Sequence, residues 1–159
     1  MLLDENEEFR VCSRNLDLKF TESNSYWKAA VKYDVEQKMK VHGLKGLAIQ
    51  GELIGEGINR NQYKTALDFY VFDMYDTVKH EYLDAGKRLE ICELLGLKNV
   101  PVLETEFSIK DCTIAGLLSY AEGKSALNGS EREGLVMKSL QDTSVSFKII
   151  SNRWACRFE

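Results

Sequence analysis

The sequence predicts an α+β fold with mainly antiparallel sheets and flanking helices. Strand-like and helix-like segments alternate irregularly along the chain, whereas a parallel sheet is built from regular β-α-β units. The chain has 159 residues, enough for one domain with at most a small appendage. Its 44% hydrophobic and 29% charged residues are typical of a globular protein and argue against disorder. The formal net charge of −4 argues against a strongly basic nucleic-acid-binding tail but leaves a local binding groove open.

The first half of the chain predicts a short strand, one helix and two longer strands. Phe9–Arg14 reads as the short strand. Over Asn24–Lys40 apolar residues recur at helical spacing, polar residues at the start can cap the helix, and Gly43 can end it. Leu47–Ile54 is strand-like and leads into a glycine-spaced turn. Asp68–Tyr75 is rich in aromatic and β-branched residues, which favours a second strong strand.

The second half predicts two helices and three short strands. Lys87–Leu95 reads as a helix that a following glycine ends, and Val100–Glu104 as a short strand that contains the single proline. Ser108-Ile109-Lys110-Asp111 has the spacing of a capping-box variant and is expected to open a helix that runs through Ile114 and ends at Gly123. The last two strands are expected over Gly134–Lys138 and Val145–Ser151.

The cysteines and the start of the sequence predict a cytoplasmic protein. The four cysteines are far apart, form no CxxC pair and have no histidine nearby, which argues against a zinc site and favours packed, reduced thiols. These residues are Cys12, Cys92, Cys112 and Cys156. No segment approaches the ~20 apolar residues of a membrane helix, so no membrane partner is expected. The acidic N-terminal segment lacks the basic and apolar parts of a secretory signal.

Four charged residues interrupt apolar, strand-like segments: Glu52, Glu133, Lys138 and Lys148. On a half-buried sheet alternate side chains face water, and for any one of these residues that is the simpler interpretation. Taken together, beside glycines, serines and an aromatic strand, they fit better as the lining of a pocket. In such a pocket lysines would bind phosphates, and carboxylates would bind ribose hydroxyls or a metal.

Four segments of the chain resemble motifs III, IIIa, IV and V of the covalent nucleotidyltransferases, and most closely those of the ATP-dependent RNA ligases. In chain order they are Gly51-Glu52-Leu53-Ile54-Gly55, Asp68-Phe69-Tyr70-Val71-Phe72-Asp73, Glu133-Gly134-Leu135-Val136-Met137-Lys138 and Ser146-Phe147-Lys148-Ile149-Ile150-Ser151-Asn152. Each segment alone is a weak signal, but four in this order are a strong one. The resemblance implies a nucleotidyltransferase (ATP-grasp-like) adenylation domain, and we expect residues 1–159 to form one such domain, incomplete at its N-terminus.

On the nucleoside side, the resemblance implies roles for four residues. Glu52 would accept hydrogen bonds from the ribose of the adenylate. Phe72 would stack on the adenine, with Phe69 of the same segment as the alternative, and both aromatics can equally be ordinary core residues. Cys12-Ser13-Arg14-Asn15 is similar to the family's arginine segment, so Arg14 would contact the nucleotide or the RNA 5′ phosphate. An ordinary surface arginine is the equally weighted alternative.

On the phosphate side, the resemblance implies roles for three more residues. Glu133 would hold Mg²⁺ or Mn²⁺, or its water shell, near the α-phosphate of ATP. Lys138 would contact phosphate, and Lys148 would contact the α-phosphate and stabilise the charge that develops during transfer. The pattern departs from the common form of motif V at Ile150, where a second basic residue is usual, and Arg153 is a candidate to supply that charge.

The lysine nucleophile of these ligases is expected to be absent. In the family it lies in a K-x-D/H-G motif before the arginine segment and becomes adenylated by ATP. No lysine occurs among the eleven residues before Cys12. Three other segments fail the spacing, namely Lys45-Gly46, Lys110-Asp111-Cys112 and Lys124-Ser125-Ala126. We therefore expect the chain alone not to self-adenylate, and the C-terminal RNA-binding domain of the family to be missing as well.

Three interpretations of this gap stay open. The chain can be the downstream piece of a ligase that seals RNA 5′-phosphate and 3′-hydroxyl ends, with the nucleophile motif on a separate chain or in an upstream reading frame. It can be a truncated remnant that retains part of the nucleotide pocket. It can also be a non-catalytic nucleotide- or RNA-binding or interaction protein. Loss of the first motif is expected to expose a sheet edge, which a partner chain or self-association could cover.

Overall fold

A computed structural model of the chain describes residues 1–58, 63–109 and 112–156. The chain divides into two compact units, Met1–Val100 and Pro101–Glu159. Each unit combines a sheet with helices, and nearly all strand pairs are antiparallel. The prediction of an α+β fold with mainly antiparallel sheets is confirmed. The single parallel pair described joins the fourth and sixth strands of the chain.

The first unit holds a six-stranded sheet and three helices. Its strands are β1 (Leu2–Leu3), β2 (Phe9–Arg10), β3 (Leu47–Ile54), β4 (Asp68–Asp76), β5 (Glu81–Tyr82) and β6 (Lys98–Asn99). Its helices are α1 (Ser25–Lys32), α2 (Val35–Val41) and α3 (Ala85–Leu95). The order across the sheet is β2-β1-β3-β4-β5, and β6 also pairs with β4. The prediction for β3 is confirmed at both ends, and β2 is shorter than predicted.

One face of this sheet packs against the helices to form the core of the unit. Leu47, Ile49 and Leu53 of β3 are buried there, together with residues of all three helices. Their alternation is the pattern of a strand with one buried face. The other face of β3 carries the more polar positions, including the exposed Glu52. The core therefore fixes which face of the sheet stays open.

The pairing of β3 with β4 contains a β-bulge at Phe72. The register passes from Gln50 opposite Asp73 to Gly51 opposite Val71, so Phe72 is the extra residue of β4. A bulge of this kind bends a strand and redirects a side chain. Phe72 is 38% exposed in the middle of a strand that is otherwise largely buried.

Gly51 is required by the close approach of β4. A Cβ atom at this position would lie 2.3 Å from the ring of Phe69 and 2.6 Å from the carbonyl oxygen of Tyr70. The Phe69 ring therefore packs directly over the glycine backbone on the core side of the sheet. Any side chain at Gly51 would push the two central strands apart.

The predicted helix over Asn24–Lys40 is two helices, so this prediction is wrong in its middle. Asp34 adopts a left-handed conformation, with φ +51°, and separates α1 from α2. The ends are confirmed: the Asn24 side chain accepts hydrogen bonds from two backbone N–H groups, and Gly43 follows the last turn with φ +63°. Because of this break, two short helices, in place of one long helix, each bury residues in the core of the unit.

The strand predicted over Val100–Glu104 is also misplaced. The strand there is β6, at Lys98–Asn99, and it pairs in parallel with β4. Helix α3 begins two residues before its predicted start, because the Asp84 side chain caps it, and ends at Gly96 as expected.

The second unit is built around a hairpin of two strands. Its elements are α4 (Ile114–Ala121), β7 (Gly134–Lys138), β8 (Ser146–Ile150) and α5 (Asn152–Ala155). The two strands were predicted to within one residue at each end. Helix α4 is capped by Thr113, whose hydroxyl accepts from the N–H of Gly116, rather than by Ser108. Lys110 and Asp111 of the predicted capping box lie outside the described residues.

Two general expectations can be compared with the structure. Within the described ranges no helix is both long and apolar enough to cross a membrane. All four cysteines are free, but only Cys92 is buried, so the expectation of packed thiols holds for that residue alone.

We predict that Gly51→Ala destabilises the first unit by about 2 kcal/mol or more, because the added methyl group overpacks the Phe69 ring and the β4 backbone. Urea denaturation followed by far-UV circular dichroism measures this change. Gly86→Ala is the matched control, since Gly86 lies in the first turn of α3 and meets only the Asp84 carboxylate at 3.2 Å. Equal stability of the two variants would contradict the steric argument.

Candidate functional site

The open face of β3 and β4 carries Glu52. Glu52 is exposed and in register with Tyr70, and Gln50 is in register with Asp73 on the same face. Residues in register on antiparallel strands have Cβ atoms only about 5 Å apart. Glu52 therefore has an aromatic neighbour directly across the strand pair, and its carboxylate is accessible to a ligand.

The structure separates the two candidate aromatic residues. Phe69 is 5% exposed, belongs to the hydrophobic core and covers Gly51. Phe72 is 38% exposed at the bulge. Of the two, only Phe72 presents a ring surface that a flat ligand could stack against. Phe69 is the ordinary core residue that the sequence offered as its alternative interpretation.

A buried carboxylate, Asp68, anchors the start of β4. Lys98 of β6 donates to it at 2.5 Å, the Tyr33 hydroxyl donates to it, and Lys32 donates at 3.2 Å. The backbone N–H of Phe69 completes the set at 2.9 Å. Burial alone would raise the pKa of Asp68, but these donors outweigh it and lower the pKa to about 2. Asp68 was not predicted as an anchor, because its donors come from three separate segments.

Arg14 lies in an exposed turn. The backbone N–H of Ser13 donates to the carbonyl of Leu16 at 2.9 Å, and a bridge joins Cys12 to Asp17 on either side. The turn presents Arg14 to solvent in the first unit. This placement is compatible with both interpretations of Arg14, as a nucleotide or phosphate contact and as a surface residue.

The hairpin of the second unit carries the three phosphate-side candidates and brings two of them, Glu133 and Lys148, into contact. Lys148 donates to the Glu133 carboxylate across the hairpin. Lys148 is in register with Val136 and Lys138 with Ser146, so both lysines project from one face of the hairpin. The side chains of Lys148 and Glu133 are 48% and 45% exposed. An ion pair this exposed contributes at most about 1 kcal/mol, so a phosphate group can compete for the lysine at low cost.

Arg132, the residue directly before Glu133, is anchored by its side chain to the end of α4, a contact that the sequence did not predict. Its guanidinium donates to the carbonyls of Ala121 at 2.9 Å and Glu122 at 2.8 Å, at the C-terminal end of α4. Those carbonyls have no partner within the helix, and a cation there also favours the helix dipole. Glu133 itself accepts from the N–H of the buried Ser151 at 2.8 Å. The Glu133 backbone is thus held from two sides.

Two further positions of the second unit, Gly134 and Arg153, concern motifs IV and V. A Cβ atom at Gly134 would lie 1.9 Å from the carbonyl oxygen of Ile149, so the strands of the hairpin require a glycine there. Arg153, the candidate for the missing charge of motif V, forms an ion pair with Glu122 at 2.7 Å.

One further tetrapeptide, which the scan for the nucleophile motif did not include, fits the K-x-D/H-G pattern. Lys40-Val41-His42-Gly43 reads K-x-H-G, but it follows the Arg14 segment instead of preceding it. Lys40 lies in the last turn of α2 and pairs with Glu36, one helical turn earlier, at 2.6 Å. Gly43 has the positive φ of a residue that ends a helix. The helix end explains this tetrapeptide, and its position in the chain breaks the order of the motifs.

The donor set limits how a metal ion could be held. Among the described residues, no group of three His, Cys, Asp or Glu side chains is placed to hold a metal ion. Glu133 offers a single accessible carboxylate beside Lys148. Mg²⁺ and Mn²⁺ favour oxygen ligands, and Mg²⁺ commonly takes one or two carboxylates together with substrate phosphates and water. Glu133 therefore fits a metal ion that arrives with a nucleotide.

Comparison with a family model and comparison with solved structures both find RNA ligases. The family model described as RNA ligase matches residues 1–150. A lysine-to-alanine variant of Naegleria gruberi RNA ligase, solved with ATP and Mn, is 36% identical with a TM-score of 0.87, over 96% of this chain and 46% of that chain. A lysine-to-methionine variant with AMP and Mn is 34% identical with a TM-score of 0.87, over 99% and 49%.

The same ligase solved with PPi is 34% identical with a TM-score of 0.87, over 96% of this chain and 46% of that chain. The chain therefore spans about half the length of the solved structures that it matches. A comparison with curated protein sequences gave no match. The similarity confirms the predicted nucleotidyltransferase fold.

We predict that Asp68 makes folding stability depend on acid pH. Since its pKa is about 2 in the folded chain and 3.8 ordinarily, its contribution is complete above about pH 4 and is lost as the pH falls through about 2. The shift corresponds to about 2 kcal/mol. Asp68→Asn should lower the free energy of unfolding at pH 7 by roughly that amount and flatten its dependence between pH 4 and 2. Urea unfolding at a series of pH values measures the free energy of unfolding of both proteins. The same pH dependence in the unmodified chain and in Asp68→Asn would refute the role of Asp68 as an anchor.

Proposed function

The chain belongs to the RNA ligase family, and from this premise we propose that it forms part of the adenylation machinery of an ATP-dependent RNA ligase. Such an enzyme seals RNA 5′-phosphate and 3′-hydroxyl ends through an AMP intermediate. The observation that carries the proposal is that the motif residues expected to bind the nucleotide are exposed or partly exposed. In each unit, the residues assigned to nucleotide binding lie where a nucleotide could reach them, while the glycines, Phe69 and the buried Asp68 shape the strands.

On the open face of the first unit, we assign Glu52 to the ribose and Phe72 to the adenine. Exposure of the carboxylate and of the ring at the bulge supports both assignments. Arg14, in its exposed turn, is proposed to contact the nucleotide or the RNA 5′ phosphate. The Naegleria ligase solved with ATP, AMP or PPi supports ATP as the nucleotide.

On the hairpin of the second unit, we assign Lys148 and Lys138 to phosphate oxygens and Glu133 to Mg²⁺ or Mn²⁺. When bound, the metal neutralises phosphate charge and helps to orient the phosphates. Binding of a nucleotide with its metal would exchange the Glu133–Lys148 pair for two new contacts, carboxylate to metal and lysine to phosphate. Lysine charge on the α-phosphate stabilises the transfer, because phosphoryl chemistry depends on positioning and electrostatics.

We predict that Glu52→Ala and Phe72→Ala each weaken binding of Mg-ATP to the chain by about tenfold, through loss of ribose hydrogen bonds and of stacking on the base. Isothermal titration calorimetry measures the affinities. Phe20→Ala is the matched control, since Phe20 is also an exposed phenylalanine of the first unit, at 60%, and lies outside the motifs. Unchanged affinity in both site variants would instead favour a non-catalytic interaction protein.

We further propose that these 159 residues do not self-adenylate, because the family's lysine nucleophile has no counterpart at its place in the motif order. A separate chain carrying a K-x-D-G segment could supply it. RNA ends are the proposed substrate, and an edge of the sheet is the proposed surface for a partner chain or a second copy. The free cysteines support a reducing, cytoplasmic location.

The chemistry can be tested in two steps with the purified chain. Incubation with labelled ATP and magnesium should leave no AMP on any lysine, as read by intact mass. An AMP adduct on Lys40 that is lost in Lys40→Ala would show that Lys40-Val41-His42-Gly43 acts as a nucleophile motif. It would overturn the interpretation that the helix end alone explains this tetrapeptide.

We predict that pre-adenylated RNA is sealed weakly, since this last transfer does not use the nucleophile covalently. Lys148→Ala should lower the rate by about a hundredfold, as expected for removal of one transition-state charge contact. Denaturing gel analysis of a nicked duplex substrate measures the rate, and Lys19→Ala, an exposed lysine outside the motifs, serves as control. Equal rates for Lys148→Ala and the unmodified chain would remove Lys148 from the site.

A further inference from the structure

Three side chains form one row across three neighbouring strands of the larger sheet. Glu52 of β3 is in register with Tyr70 of β4, and Tyr70 is in register with Lys98 of β6. Because residues in register project from the same face of a sheet, the row lies on the open face that carries Glu52. We infer that Tyr70 is a further nucleotide-binding residue, whose ring forms the wall beside the ribose, and that Lys98 is a positioning residue for that ring.

The core does not account for the Tyr70 ring. Its neighbours Phe69 and Val71 point into the core and are buried, whereas Tyr70 is only partly buried. A tyrosine combines a broad apolar ring with a polar end, which suits the edge of a sugar. With Cβ atoms about 5 Å apart across the strand pair, a ribose held by Glu52 would lie within reach of Tyr70.

Lys98 holds the ring from the other side. Its ammonium nitrogen lies 5.6 Å from the centre of the Tyr70 ring and 2.5 Å from a carboxylate oxygen of Asp68. Asp68 is nearly buried, with a side chain 12% exposed, so the lysine is fixed at its charged end. A cation at this distance from an aromatic ring attracts it. Since its charge is already matched by Asp68, Lys98 acts on the nucleotide through Tyr70.

This inference rests on the proposed nucleotide site, and the experiment uses the same calorimetric titration of the full chain with Mg-ATP. Tyr70→Ala should weaken binding about tenfold through loss of the ring. Tyr70→Phe, which keeps the ring, should stay within about twofold. Tyr75→Ala should leave the affinity unchanged: Tyr75 lies on the same strand and face but packs edge to face on Tyr82, with ring centres 5.0 Å apart.

The positioning role of Lys98 is tested by a double-mutant cycle. Lys98→Met should weaken ATP binding about threefold in the unmodified chain and have no further effect in the Tyr70→Ala background, while Lys98→Arg should restore most of the affinity. Thermal unfolding of each variant separates this coupling from lost stability. An equal effect of Lys98→Met in both backgrounds would show that Lys98 does not act through Tyr70, and would overturn its role.

The outcomes also separate this inference from the function on which it rests. If Glu52→Ala weakens binding and Tyr70→Ala stays within about twofold, the Tyr70 wall is refuted while the nucleotide site stands. If the unmodified chain binds no ATP, both the site and the inference fail. Weaker binding in Tyr70→Ala together with normal binding in Tyr70→Phe and Tyr75→Ala supports the ring as a contact.

Discussion

The antiparallel pairing of β3 with β4 is the constraint on which the first unit depends. Before the bulge, Phe69 and Val71 of β4 face the core, and beyond it Met74 does so. The shift of one residue at Phe72 allows a single strand to bury side chains along its whole length and still expose one aromatic ring in its middle. Gly51 allows the same two strands to approach over the Phe69 ring. Core packing and exposure of the open face thus follow from one register.

Burial divides the charged residues into two kinds. Asp68 is nearly buried and receives donors from α1, β4, β6 and the residue that follows α1, so its charge is committed to the fold. Removing the donors around a nearly buried carboxylate is costly, because its charge would be left without partners. The Glu133–Lys148 pair is half exposed, and each partner can exchange the other for water or a ligand at little cost. The same residue types therefore serve the structure in one place and remain available for binding in another.

The sequence predicted elements whose signal is local and failed where the signal lies in tertiary contacts. All of β3 and both strands of the hairpin were predicted because their apolar patterns extend over five or more residues. The two-residue strand β6 is defined only by its pairing with β4, and the break at Asp34 only by a left-handed residue that the helical pattern conceals. The choice between Phe69 and Phe72 depended on a bulge, which changes the period of the strand. Neither Asp68 nor Arg132 could be singled out, because their partners are distant or are backbone groups.

The three motif-like glycines show why position decides more than letters. Gly51 and Gly134 admit no Cβ atom because a neighbouring strand passes too close. Gly51 directly precedes the exposed Glu52, and Gly134 directly follows the half-exposed Glu133. Gly43 has open space around it and is needed only for its positive φ at a helix end. The first two glycines are required by the close approach of a neighbouring strand, and the third by the end of a helix. In the proposed function, nucleotide binding depends on accessible charged and aromatic side chains, whereas the covalent step requires one lysine at one place. The two capacities are therefore physically separable, and a chain that carries the first can bind the nucleotide whether or not it carries the second.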